Sequence, residues 1–207
     1  MNIEAKPPKP ESRTAGPLQW RSLVSWMRTD GVINEAEARR IHARCAQAES
    51  VQHPLLRLAN VTVHRAKDDK LMDIEALTAW LAKHLSMDYV RIDPLKVEVG
   101  RVADAMTAAY AERHSILPLQ LSPHEIVVAT SEPLMTDWVA EVERQSRRTV
   151  RRVLASPQDI KRYTVEFFAL AKSVRAAAKA GSGVGSSFEQ LVELGRSNRP
   201  LDANDQS

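Results

Sequence analysis

Two aliphatic runs, Ile116 to Leu121 and Glu125 to Thr130, flank the turn-forming triplet Ser122-Pro123-His124. Runs of this length around such a turn predict a β-hairpin. Pro118 lies inside the first run, and a proline has no N–H to give to a ladder. The first strand must therefore sit at a sheet edge or carry a bulge. Any fold for this chain must contain a sheet, with that strand at its edge or bulged and helices covering what the hairpin leaves bare.

The flanking segments supply those helices. Asp73 is placed to cap a helix whose apolar face is Ile74, Leu77, Trp80, Leu81 and Leu85. Met87 to Ile92 reads as extended, and Pro94 keeps Asp93 out of helix. Val99, Val102, Ala103 and Met106 suggest a short helix, with another around Tyr110. Met135, Trp138, Val139 and Val142 mark a helix, and Thr149 to Leu154 a strand. The last helix has Ser156 as N-cap, Pro157 at its first position and Asp159 three beyond the cap. Its expected buried stripe is Ile160, Tyr163, Phe167, Leu170 and Val174. These elements make a small α+β sandwich over residues 71–178, with a sheet of three to four strands.

Residues 18–66 read as a helical subdomain. Trp20, Leu23, Val24 and Met27 lie on one helical face. Asp30-Gly31 ends that helix, with Gly31 suited to a left-handed C-terminal position. Asn34 then offers an N-cap, with Glu37 three residues on, as in a capping box. Ala38, Ile41 and Cys45 continue the stripe. His53 to Lys70 suits either helix or extended chain, and Ala66 to Lys70 is read as a polar loop and unit boundary. Met1 to Pro17 has no apolar segment and is expected to be a disordered leader rather than a signal peptide. Gly181 to Ser187 has a linker composition, Phe188 to Leu194 suits a short helix, and residues 179–207 are expected to form a linker and tail.

Composition excludes several function classes. Lys and Arg number 29 against 26 Asp and Glu, a mixed surface that does not call for nucleic acid or anionic lipid. No run approaches the length of a membrane span. Cys45 is the single cysteine, which fits a reducing cytoplasm. No Gly-x-x-x-x-Gly-Lys pattern is present, and the glycine run at 181–187 follows a helix instead of a strand, so it is not a phosphate loop. His42 and Cys45 share a helix face and are read as part of its buried stripe; two ligands do not make a site, and no metal site is expected. Ser131 lacks a nucleophile elbow and reads as turn chemistry. The basic run Arg144, Arg147, Arg148, Arg151 and Arg152 reads as a solvated helix end and turn. No catalytic residue is assigned.

Four ordered segments carry a family resemblance: Tyr89 to Val97, Ala109 to Pro118, Glu125 to Pro133 and Val153 to Ile160. Together they resemble the amino-terminal domain of type II secretion and type IV pilus assembly ATPases. The resemblance implies a non-catalytic module, with ATP and Mg used by a motor domain that these 207 residues do not include. It further implies a cytoplasmic location at the inner membrane, reached through the cytoplasmic domain of an inner-membrane assembly protein. The other implied partner is the protein's own motor domain, hexameric in the parent. In some members, two Arg-Leu-Gly-containing helical motifs bind cyclic di-GMP. Here Arg21-Ser22-Leu23-Val24 with Gly31-Val32-Ile33 is a degenerate first copy, and Leu56-Arg57-Leu58-Ala59-Asn60 lacks the glycine of a second. The candidate ligand or partner residues are Arg21, Trp26, Asp30, Gly31 and Arg57. Trp26 is expected to anchor a protein partner, and Asp30 to repel phosphate.

Overall fold

The computed structural model describes residues 15–47 and 50–197. The expected leader up to residue 14 and the tail beyond residue 197 lie outside the described residues. The α+β class holds. Helix α1 (Trp20–Thr29) ends as its sequence demands. Gly31 has φ +68°, its N–H donates to Arg28 O at 3.0 Å, and Val32 N–H donates to Met27 O at 2.8 Å. This is the Schellman pattern, in which a left-handed residue folds the chain back onto the last carbonyls. Helix α2 (Glu35–Ala46) is capped by Asn34, whose Oδ1 accepts from Glu37 N–H at 2.8 Å. The Glu37 carboxylate binds Arg40 and the backbone N–H of His64, so the reciprocal half of a capping box gives way to a tertiary contact.

The ambiguous stretch resolves into α3 (Pro54–Asn60) and a short antiparallel pair, β1 (Val63–His64) and β2 (Leu71–Met72). Helix α4 (Ile74–His84) follows, capped by Asp73, whose Oδ1 accepts from Ala76 N–H at 2.8 Å. Its apolar face goes mostly to the preceding helices, with Leu154 of the sheet joining the same core. Leu77, Leu81 and Leu85 join Leu23, Met27, Ile41, Leu55 and Leu58 in one core. The polar loop at 66–70 therefore crosses a continuous core instead of separating two, because α1 and α2 alone leave a bare face that α3 and α4 cover.

The sheet has the order β3 (Asp88–Tyr89), β6 (Thr149–Leu154), β5 (Glu125–Thr130), β4 (Ile116–Leu121). Strands β4 and β5 form the expected antiparallel hairpin. β4 is outermost, and its register shifts between Pro118 and Gln120. Strand β6 runs parallel to both β5 and β3. One face packs Leu117, Val127, Ala129 and Val153 against Ile160, Tyr163 and Phe167 of α8 (Pro157–Ser197). The other packs Ile116, Ile126 and Val128 against Trp138, Val142 and Ala111, beneath α6 (Ala108–His114) and α7 (Val139–Ser146). A one-turn helix, α5 (Val99–Val102), precedes α6.

Two expectations change along α8. Leu170 and Val174 are 51% and 55% exposed; the buried face runs through Thr164, Phe167 and Ala171, so Leu170 lies beside it, and Val174 lies in the exposed stretch 172–179 beyond it. Gly181 to Ser187, which have a linker composition, are continuous with the helix.

Candidate functional site

The five candidate residues fall into two places. Arg21 stands in the first turn of α1, while Asp30 is its C-cap, about 13 Å further along the axis at 1.5 Å per residue.

At the first place, Arg21 and Arg57 converge on one ring. Their guanidinium carbons lie 4.5 Å and 5.2 Å from the Trp20 ring centre, within the range of cation–π attraction. Arg57 also donates to the Cys45 carbonyl. Trp20, Arg21, Ser50, Val51, Gln52 and Arg57 line an open cleft of about 740 Å³. Val51 is fully exposed on its rim. Burial pushes the Cys45 thiol up from its ordinary value, against the pull of the nearby Arg57 and Arg21 charges. His42 is exposed rather than buried; its ring lies 5.1 Å from Trp20. Among the described residues no group of three or more His, Cys, Asp or Glu is placed to hold a metal ion.

At the second place, Trp26 stacks on His84, with ring centres 4.9 Å apart. Trp80 lies 5.8 Å from the same imidazole. Trp80 Nε1 donates to Asp30 Oδ2 at 2.9 Å, and His84 Nδ1 lies 2.8 Å from that same oxygen. Asp30 is therefore held by α4, away from the two arginines, and the expected repulsion of phosphate by Asp30 does not apply to their cleft. Both tryptophans are half-buried while Asp30 and Gly31 are exposed. Sequence periodicity puts Trp80 in the α4 stripe and does not single out His84. The spacing Trp80-x-x-x-His84, which puts both on one helical face, was the available signal.

The basic run proves mostly structural. Arg148 donates to Ser122 O and Ser146 O, and Arg152 to Pro133 O. Arg151 lies between Glu125 at 3.2 Å and Asp88 at 3.3 Å, beside a cavity of about 480 Å³ floored by Val127 and Val153. Ser131 is buried in the turn after β5, consistent with a structural role.

Comparison with known proteins shows what the chain resembles. The MshEN domain model matches residues 85–174, starting at the end of α4. A type IV pilus assembly ATPase, TfpB of Acinetobacter baylyi, is 31% identical over 193 residues, covering 91% of this chain and 32% of that protein. The chain thus spans about a third of its relative's length. A solved structure of MshE with cdg shares the fold, with TM-score 0.51 at 14% identity over 70% of this chain and 97% of that one. Residues 85–174 thus match the MshEN domain model, and the chain as a whole is similar to about a third of a type IV pilus assembly ATPase.

Proposed function

We propose that this chain is the non-catalytic docking and regulatory module of a type IV pilus or related type II secretion assembly ATPase. In this reading it binds the cytoplasmic part of an inner-membrane assembly protein, and ATP and Mg belong to a separate motor domain. The observation that carries it is the half-exposed Trp26–His84–Trp80 group with Asp30 at its edge. Large aromatics beside satisfied polar groups are the usual energetic centres of protein interfaces. Among the described residues no helix is long and apolar enough to cross a membrane, so membrane attachment through a partner fits. The test is titration calorimetry with the purified cytoplasmic part of a candidate assembly protein. Trp26→Ala and Trp80→Ala are each expected to weaken binding at least about tenfold, roughly 1.4 kcal/mol. Unchanged affinity in both would remove this surface from the interface. Phosphate release from ATP by the purified chain should stay at buffer level.

A second reading is favoured by the convergence of Arg21 and Arg57 on Trp20. Two guanidinium groups in an open cleft supply paired donors for phosphate and flat surfaces for a base. The similar MshE structure was solved with cdg, and cyclic di-GMP is the ligand this cleft would take. Arg21→Ala should abolish any micromolar cyclic di-GMP binding while leaving the Trp26 surface unaffected.

A further inference from the structure

Both lips of the Trp20 cleft are fastened to a single carboxylate in the turn after β5. One lip is the start of α1. Two residues before Trp20, the Leu18 N–H donates to Glu132 Oε2 at 2.8 Å. The other lip is the segment entering α3. His53, the residue after Gln52, brings Nε2 to 3.2 Å from Glu132 Oε1 and 3.0 Å from Ser131 O. His53 Nδ1 accepts from Leu55 N–H at 3.2 Å, so in the neutral ring the proton sits on Nε2 and points at Glu132 and Ser131.

The carboxylate itself has a firm base. Glu132 N–H donates to Thr130 Oγ1 at 3.0 Å, and Thr130 and Ser131 are buried. Ser131 N–H donates to Ser115 O at 3.3 Å, and Arg152 Nη1 donates to Pro133 O at 2.8 Å. The His53 and Glu132 side chains are only 12% and 13% exposed, so water competes weakly for these bonds. The lips are thus referenced to the end of β5 as well as to each other.

We propose that Glu132 is a positioning residue that sets the opening of the Trp20–Arg57 cleft and passes movement of either lip to the turn after β5. This rests on the second reading above, in which the cleft takes an anionic ligand. A phosphate drawing Arg21 towards Arg57 would pull on both arms of one carboxylate, and the first responder in the MshEN domain would be the 130–133 turn.

The test uses the full chain with Glu132→Gln and Glu132→Ala. Hydrogen exchange is followed at Leu23 to Ser25 and at Arg57 to Leu58, with Leu77 to Leu81 as an internal reference in the same core. Glu132→Ala is expected to speed exchange at both lips about tenfold relative to the reference, with Glu132→Gln between it and the parent. A tenfold change corresponds to about 1.4 kcal/mol of local opening. Equal exchange at both lips in parent and Glu132→Ala would overturn the proposal. Should Glu132→Ala not fold, the same comparison with Glu132→Gln decides. In a second arm, cyclic di-GMP is added and backbone amide shifts are recorded. In the parent they are expected to reach Thr130 to Glu132, and in Glu132→Gln to remain within the cleft. Ligand shifts reaching the turn equally in both proteins would also overturn it. If cyclic di-GMP does not bind the parent, the ligand reading fails, and the exchange arm alone decides the role of Glu132.

Discussion

Glu37 reaches across 27 residues to His64, accepting its backbone N–H on Oε1 at 2.8 Å. The same carboxylate holds Arg40 at 2.6 Å, and Arg40 in turn donates to the carbonyls of Val61 and Thr62. A cap position on α2 thereby ties the helical pair to β1. The hydrogen bond from Arg40, helped by His64 N–H and the charge of Arg40, holds the Glu37 carboxyl below its ordinary value against the opposing effect of burial.

The sign of the pH dependence follows from that depression. A carboxylate with a lowered folded-state pKa contributes stability above its unfolded value and loses it as pH falls through the folded one. Glu37→Gln is therefore expected to destabilise the chain near neutrality by about 1–3 kcal/mol. The difference from the parent should shrink below about pH 4. Denaturant midpoints at pH 7 and pH 3.5 measure both; a difference that grows on acidification would contradict the assignment.

Asp159 shows the opposite shift. Burial first, and then the charge of Glu75, push its carboxyl above the ordinary value, while Arg91, Arg162 and the Ile92 N–H act against them. A raised carboxylate disfavours the folded state above its unfolded pKa, and this penalty is relieved as pH falls through the folded one. Glu75→Gln removes one cause, and its amide oxygen can still accept from Tyr89 OH, which now donates to Glu75. Carboxyl-carbon NMR titration is expected to show a lower Asp159 midpoint in Glu75→Gln than in the parent.

Which side of α8 is covered is testable with one pair of substitutions. Phe167 is 3% exposed, in contact with the sheet core, while Leu170 is 51% exposed. Phe167→Ala should cost about 3–5 kcal/mol, the usual loss for a buried aromatic. Leu170→Ala should change stability by less than about 0.5 kcal/mol. Comparable losses from chemical denaturation would mean that Leu170 is covered in solution.

Gly31 gives a cleaner test of backbone conformation. A Cβ there would meet nothing within 4 Å, yet φ is +68°. Gly31→Ala thus isolates the left-handed penalty, expected to be about 1 kcal/mol. A neutral or stabilising result by thermal denaturation would show that the chain after α1 relaxes to another turn.

The sequence by itself determined the features that depend on neighbours within a few positions. Asn34, Asp73 and Ser156 cap the helices they precede, Gly31 closes α1, and Pro118 puts β4 at the edge. Each follows from a local hydrogen bond or from a dihedral angle that one residue type tolerates. Its ordered segments also carried the resemblance that the family comparison bears out. Only the tertiary structure decided which faces meet. It sent α4 to the helical core, set Trp80 and His84 on an aspartate more than 49 residues away, and gathered Arg21 and Arg57 around Trp20. It also joined Glu132 to Leu18 across 114 residues. Periodicity fixes that a face is apolar, but not what covers it, because that depends on how the connecting loops direct each element. The exposed Leu170 shows the same limit: Phe167 and Ala171 on either side of it in sequence are buried, and which flank of an apolar stripe is covered is not written in the stripe.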